Sequence, residues 1–346
     1  MTDMQNVAKK KARKVRRVFL LGAGVSASVG IAVARDILRA SIVQLEATDS
    51  RKAQLVQKLL LYLYPGFDEE LRNYPNIEDF LNLLEMAKKF NTEEFIESTS
   101  WSRERLEQVG RVTVKAVTEY IWECMKSKAQ GDIDEFVKLK MRPRDTIITF
   151  NWDLTVERAL ENYSSDASFL YTYSRERESD AFSLLKPHGS IDWFQKADIE
   201  KLDKKADILS LDSKLCVFPY FSRARSPKLL DASPVIVPPV ASKEFDFAFL
   251  KRTWRGVYRA VSDATEVYVI GYSLPKEDQF ARLVLRRALR NNQIKTDRGV
   301  KGPLSLTVVN PDENVGTTFG RLVQRGSASA GYYQATLQDY LNSLRD

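Results

Sequence analysis

RVFLLGAGVSASVGIAVAR, residues 17–35, decides how the rest of the chain is read. Val18 to Leu21 is a short apolar run rich in β-formers and reads as a buried strand. Behind it come Gly22, Ala23, Gly24 and Gly30, with Ser26 and Ser28 among them, which read as a tight turn running into a helix N-terminus. Glycine admits φ > 0 and lets a bulky anion approach the backbone. The N–H groups and dipole of a helix start then favour a phosphate. Taken alone, Gly22-x-Gly24-x-x-Ala27 is a loose dinucleotide fingerprint that many chains match by chance, so its meaning rests on the remainder of the chain.

With 346 residues, 44% hydrophobic and 29% charged, the chain can bury one large core or two unequal lobes. Its two cysteines, Cys124 and Cys216, lie far apart in apolar surroundings and read as free thiols of a reducing compartment. No C-x-x-C pair exists, which excludes a four-cysteine zinc site, and no metal is expected. Much of the net charge of +7 sits in KKKARKVRR, residues 9–17. That run either grips nucleic acid or an anionic partner or is a solvated terminus, and the second reading is favoured. A basic start, an apolar run and Ala32-Val33-Ala34 also resemble a signal peptide. Cleavage there would discard the glycine loop, and the run is too short and glycine-rich to span a membrane. A cytoplasmic protein without a membrane segment is expected.

An ordinary dinucleotide-binding βαβ unit would give a second strand ending in an acid about 20 residues on. Residues 36–140 instead carry apolar positions at helical spacing, as at 53–63 and 77–90. Asn76 ahead of Glu78 and Asp79 reads as a helix start, and these two acids either cap that helix or line a pocket. Strands return at 144–151, 183–188, 215–218, 235–237, 267–272 and 304–310, with helices at 154–162, 247–260 and 279–291. The alternation implies an α/β, Rossmann-like, mostly parallel sheet with helices on both faces. The expected organisation is a basic tail (1–16), a Rossmann-like domain (17–35 and 141–346) and a large helical insertion (36–140) after the first glycine loop.

In such sheets ligands bind beyond the carboxyl ends of the strands. Five strand ends are polar: Gly22–Ser26, Thr149–Asp153 (TFNWD), Pro187–Ile191 (PHGSI), Gly271–Leu274 (GYSL) and Asn310-Pro311-Asp312. Each one alone is ordinary turn chemistry. Five in this order on one α/β chain are not.

That order resembles the sirtuin family, NAD-consuming enzymes with a Rossmann-like large domain. The family's GAG-x-S-x-x-x-GI-x-x-x-R reads Gly22-Ala23-Gly24, Ser26, Gly30-Ile31 and Arg35 here. Its N-x-D reads Asn151 and Asp153, its H-G reads His188-Gly189, its glycine–serine segment Gly271 and Ser273, and its N-P Asn310-Pro311. Departures accompany the match. Phe150 stands where the family has Gln, Ala32 where it has Pro, and Val33-Ala34 where it has Asp-Phe. The zinc ribbon of the deacylating members is missing. The segments IVPP and VIGYSLPKED look more like the sirtuin-like domains of bacterial anti-phage defence proteins. The resemblance implies hydrolysis of NAD, as substrate, to nicotinamide and ADP-ribose. It also implies binding through Gly22, Ala23, Gly24, Ser26, Gly30, Arg35, Gly271, Tyr272, Ser273, Asn310 and Asp312. A homo-oligomer, and a hexameric DNA-translocase ATPase or other defence partner, are compatible with it.

The residues suit that chemistry independently. Cleaving the nicotinamide–ribose bond passes through an oxocarbenium-like state, as in other glycosidic cleavages. His188, the chain's one histidine, is suited to accept a proton near neutral pH. Asn151 can hold a ribose hydroxyl or the attacking water, and the Arg35 fork can pair with a pyrophosphate. Asp153 either stabilises positive charge or caps the helix behind it. Three other readings remain beside the hydrolase: an NAD-dependent protein deacylase, a non-enzymatic sensor of NAD or ADP-ribose, and a nucleic-acid-binding regulator using the basic tail.

Overall fold

The computed structural model describes residues 15–68, 70–71, 73–90, 101–127, 131–163, 168–173, 180–202, 208–218, 232, 234–237, 247–323 and 328–345. Residues 1–14 of the basic tail and the 222–227 loop lie outside them. In chain order the elements begin with β1 (Arg17–Leu21) and α1 (Ala23–Ala27). Five helices come next: α2 (Ala34–Thr48), α3 (Ser50–Leu63), α4 (Ile77–Phe90), α5 (Arg103–Ser127) and α6 (Asp132–Lys140). After them lie β2 (Thr146–Thr149), α7 (Thr155–Glu161), β3 (Phe169–Leu170), β4 (Phe182–Leu185), β5 (Trp193–Gln195), α8 (Lys196–Leu202), β6 (Leu209–Ser210) and β7 (Leu215–Val217). The chain closes with α9 (Ala248–Asp263), β8 (Glu266–Ile270), α10 (Gln279–Asp297), β9 (Leu304–Val309), α11 (Glu313–Gly320), β10 (Ala328–Tyr333) and α12 (Leu337–Arg345).

Seven strands form one sheet in the order β10-β9-β8-β1-β2-β4-β3, every neighbouring pair parallel. Leaving out the two-residue edge strand β3, this is the doubly wound Rossmann order, with its switch point between β1 and β8. β1 shows why the sheet needs both of its helix layers. Val18 and Leu20 enter the core beneath α9, α10 and α11, while Phe19 and Leu21 enter the core beneath α6, α7 and α12. Successive side chains of a strand point to opposite faces, so an unbroken apolar run must be covered twice.

Between β1 and β2, helices α2 to α5 build a core of their own around Leu38, Ile42, Val56, Leu59, Phe80 and Val109. Trp152, Leu154 and Ile191 join that core from the sheet side, so the helices are seated on the carboxyl edge of the sheet. Asn76 caps α4 as its sequence implies, its Oδ1 accepting from the Glu78 N–H at 2.9 Å. α6 belongs to the layer under the sheet, where Ile133, Phe136 and Val137 are fully buried.

Two of the expected strands sit elsewhere. Residues 215–217 form β7 in a separate antiparallel sheet of order β5-β7-β6, and 235–237 meets Gly189 by a single antiparallel bridge. Strands of two or three residues carry no periodicity by which to assign them to a sheet. The last parallel strand, β10, and helix α12 were not anticipated; ASAGYY has no apolar alternation because it closes an exposed edge. No helix among the described residues is long and apolar enough to cross a membrane.

Candidate active site

The five polar strand ends converge at the carboxyl edge of the sheet, on either side of the β1/β8 switch point. At their centre is the loop after β1. Two of its glycines, Gly22 and Gly24, act differently from the sequence expectation. Gly22 is extended (φ −129°, ψ −169°), and among these glycines positive φ occurs at Gly30 (82°) and Gly271 (61°). The N–H groups of Gly22 and Gly24 donate to the carbonyls of Ile270 and Gly271, at 3.1 and 3.0 Å. A Cβ on Gly22 would lie 2.5 Å from Tyr272 Cα, and one on Gly24 2.7 Å from Gly271 Cα. The two glycines therefore let the β1 and β8 loops touch, and their donors are already occupied within the fold. The expectation of φ > 0 and free N–H groups at these positions is corrected accordingly.

The β2 end is tied to the same loop by side chains. Asn151 Nδ2 donates to the Gly22 carbonyl at 2.9 Å and to Ser26 Oγ at 2.7 Å. Ser26 in turn donates to Asp153 Oδ2 at 2.6 Å, and Asp153 Oδ1 accepts the Thr155 N–H at 2.9 Å in the first turn of α7. Asp153 thus bonds the first turn of α7 from just ahead of its N-cap Leu154 and holds the Ser26 turn with the same carboxylate. Both Ser26 and Asp153 are buried, at 2% and 4% exposure, whereas Asn151 is half-buried.

These residues line one wall of a cavity of about 60 Å³. Ala23, Ser26, Phe150, Asn151 and Asp153 come from the sheet edge; Ile37, Ile77, Glu78 and Ile121 come from the helices opposite. Of the two α4 acids, Glu78 faces this cavity and Asp79 accepts from the Tyr64 hydroxyl at 3.1 Å.

His188 lies behind that wall. It is 2% exposed, with Phe150 edge-on at 5.3 Å and Trp254 at 5.9 Å between ring centres. Phe150 is stacked on Tyr272 at 4.0 Å, 5° from parallel. His188 Nε2 lies 2.9 Å from Oδ2 of Asp278, an acid that is 0% exposed and caps α10 by accepting the Ala281 N–H. Burial, then the nearby Asp278 and Glu78 carboxylates, pushes the Tyr272 hydroxyl well above its ordinary range. The backbone of His188 is pinned from the other side, its carbonyl accepting the Val237 N–H at 2.8 Å. Gly189 (φ 80°) passes so close to Val235 that a Cβ there would lie 2.0 Å from its carbonyl oxygen. Sequence reasoning reached Asp278 only as the last residue of VIGYSLPKED and gave it no role, because an Asp just ahead of a helix is a capping signal and nothing in it points to His188.

A second buried cluster supports the β4 end. Lys186, 0% exposed, places Nζ 2.7 Å from Glu157 Oε1 and 2.5 Å from the Asp153 carbonyl. Burial pushes Glu157 up to about 7 against the pull of Lys186, and the Asp192 charge adds to the rise. This cluster braces the Asp153 turn against the strand that carries His188.

The remaining sequence candidates are more open. Arg35, on the first turn of α2, has its side chain 80% exposed and paired with Asp36 at 3.3 Å. Gly30 and Ser273 are exposed. Asn310 is buried and accepts the Asp312 N–H, while Asp312 caps α11 through the Asn314 N–H. Among the described residues no group of His, Cys, Asp and Glu could hold a metal ion.

No family model and no curated protein matches the chain. Among solved structures, a sirtuin from work on sirtuin substrate affinity covers 95% of this chain and 92% of its own at 15% identity, TM-score 0.43. A Sir2 structure with a p53 peptide and NAD+ covers 95% and 91% at 14% identity, TM-score 0.42. A Sir2 complex with the inhibitor EX-527, 2′-O-acetyl-ADP-ribose and a deacetylated p53 peptide gives 14% identity and TM-score 0.34. At such identities and TM-scores these likenesses transfer no activity to the chain.

Proposed function

We propose that the chain cleaves NAD at the nicotinamide–ribose bond, releasing nicotinamide and ADP-ribose. The observation that carries this reading is Asn151, held by Gly22 and Ser26 on the cavity wall, with the chain's one imidazole directly behind its neighbour Phe150. In the reaction the C1′–N bond breaks and its electron pair leaves on the nicotinamide nitrogen, which departs neutral. Water oxygen bonds to C1′, and the proton it loses passes to His188 and on to solvent. Asn151 orients the water or a ribose hydroxyl. Asp153 holds Ser26 and supplies a negative charge beside the developing cation. The cavity is small against the roughly 300–1,000 Å³ of ligand pockets, so NAD enters as side chains around Phe150 give way.

The defence role and an activating ATPase partner rest on the sequence resemblance alone, and a cytoplasmic location on the cysteine usage and the rejected signal-peptide reading. The test is incubation of the full chain with NAD, following nicotinamide and ADP-ribose, with N151A and H188A alongside. Release by wild type and loss in both variants is the expected result. Release that depends on an acetyl-lysine peptide and yields an acetylated ADP-ribose would replace the hydrolase by a deacylase. NAD binding without cleavage, alone and with a translocase ATPase partner added, would make the chain a sensor; no binding would overturn the NAD reading.

A further inference from the structure

Asp278 and His188 come from different strand ends of the sheet, yet the carboxylate oxygen and the imidazole nitrogen are 2.9 Å apart and the pair is closed to solvent. The acid is fixed from its other oxygen: Oδ1 accepts the Ala281 N–H at 3.1 Å in the first turn of α10. A carboxylate anchored on a helix start cannot turn away, so Oδ2 stays beside the ring nitrogen. The loop that delivers it is held in an uncommon conformation, with Leu274 at φ 54°, and its carbonyl accepts from Arg282 at 2.7 Å. Backbone of that kind persists where surrounding structure over-determines it.

Described groups from several elements also face the pair. From the β8 end, the Tyr272 hydroxyl feels the Asp278 carboxylate, whose charge helps raise it. From α4, Glu78 acts on that same hydroxyl, as does Arg282 from α10 with the opposite sign. Phe150 after β2 and Trp254 on α9 touch the ring and do not titrate. Lys186, two places before His188 in the chain, is turned to Glu157. Asp278 is the anion in direct contact with the imidazole.

A buried carboxylate beside an imidazole nitrogen selects the tautomer protonated on that nitrogen and favours the imidazolium once it forms. We propose that Asp278 is the positioning residue of His188, holding the ring with its proton on Nε2 so that Nδ1 is the nitrogen able to accept a proton. The proposal rests on the NAD-cleaving reading for its kinetic consequence, and on geometry alone for the tautomer.

The test exploits the single histidine of the chain. Full-length protein labelled with 15N-histidine gives one imidazole to read by NMR. In wild type above the titration midpoint the ring is expected as the Nε2–H tautomer. In D278N, where Asn still caps α10, the amide presents a donor to Nε2; the ring should switch to Nδ1–H and titrate about 1–3 pH units lower. An Nδ1–H ring in wild type overturns the proposal without any variant, so a failure of D278N to fold leaves it tested. An unchanged midpoint in folded D278N overturns it equally. In the NAD assay, D278N should lower kcat by about 10²–10⁴-fold with NAD affinity unchanged within about twofold, and D278E should restore part of it. Retained kcat in D278N counts against the proposal. A wild type that cleaves no NAD counts against the function proposed above, while the NMR result stands on its own.

Discussion

Ser26, in the short helix α1 after β1, and Asp153, in the loop after the adjacent parallel strand β2, share a buried hydrogen bond of 2.6 Å. With Asn151 donating to the same hydroxyl, three side chains lock the β1 and β2 ends into one unit. The polar strand ends of this protein are thus wired to each other before any ligand is considered, and that wiring can be tested.

Replacing Ser26 with Ala leaves the Asp153 Oδ2 and the Asn151 amide without their common partner in a buried setting. We expect a loss of about 1–3 kcal/mol in unfolding free energy, measured by urea titration. A neutral effect would mean that water replaces the hydroxyl.

Gly271 combines a φ of 61° with a Cβ position 2.7 Å from Gly24 Cα, both of which an alanine violates. G271A should destabilise by about 2–4 kcal/mol, from left-handed strain and overpacking together. G66A, with nothing within 4 Å of its Cβ, is the neutral comparison in the same thermal melts.

Phe150 covers His188, and the two rings are 7% and 2% exposed. Wild type should react slowly with diethyl pyrocarbonate. F150A should react at least about tenfold faster, at a cost of about 3–5 kcal/mol in stability. Mass spectrometry reads a single histidine adduct. Equal rates would show that the ring already opens on the reaction time scale.

Glu157 has its folded-state pKa raised by burial from 4.5 to about 7. A raised carboxyl pKa means that the folded state binds the proton more tightly than the unfolded chain. The stabilisation is complete below about pH 4.5 and is lost as pH rises through about 7. The unfolding free energy of wild type should therefore carry a downward contribution across this window that E157Q lacks. A steeper fall in E157Q would reverse the assignment. K186M, which leaves Glu157 buried without its cation, should cost about 3–5 kcal/mol at pH 8.

The parallel sheet was legible because β1, β2, β8 and β9 are short runs rich in apolar and β-branched residues, separated by helical periodicity. The α4 start at Asn76 was legible because a cap is a local bond. β7 was expected as a strand but not its sheet, and β5 and β6 were missed, since two or three residues carry no period; β10 was hidden by its small and exposed residues. Within the site, Asn151, Asp153 and His188 could be picked out as polar residues at strand ends. The partners that now define them, Asp278 for His188 and Ser26 for Asp153, are contacts between segments far apart in the chain.

The sequence by itself determined which chemistry-bearing side chains stand at the carboxyl ends of the strands, because strand, turn and residue type are local properties. Tertiary structure decided what those side chains do. It directed the Gly22 and Gly24 N–H groups to the β8 end, gave the Asp153 carboxylate both a helix and the Ser26 hydroxyl, and enclosed His188 between Phe150 and Asp278. The physical reason is that strand order brings β1 against β8 and β2, and no local rule for a chain segment encodes which distant segment will lie beside it.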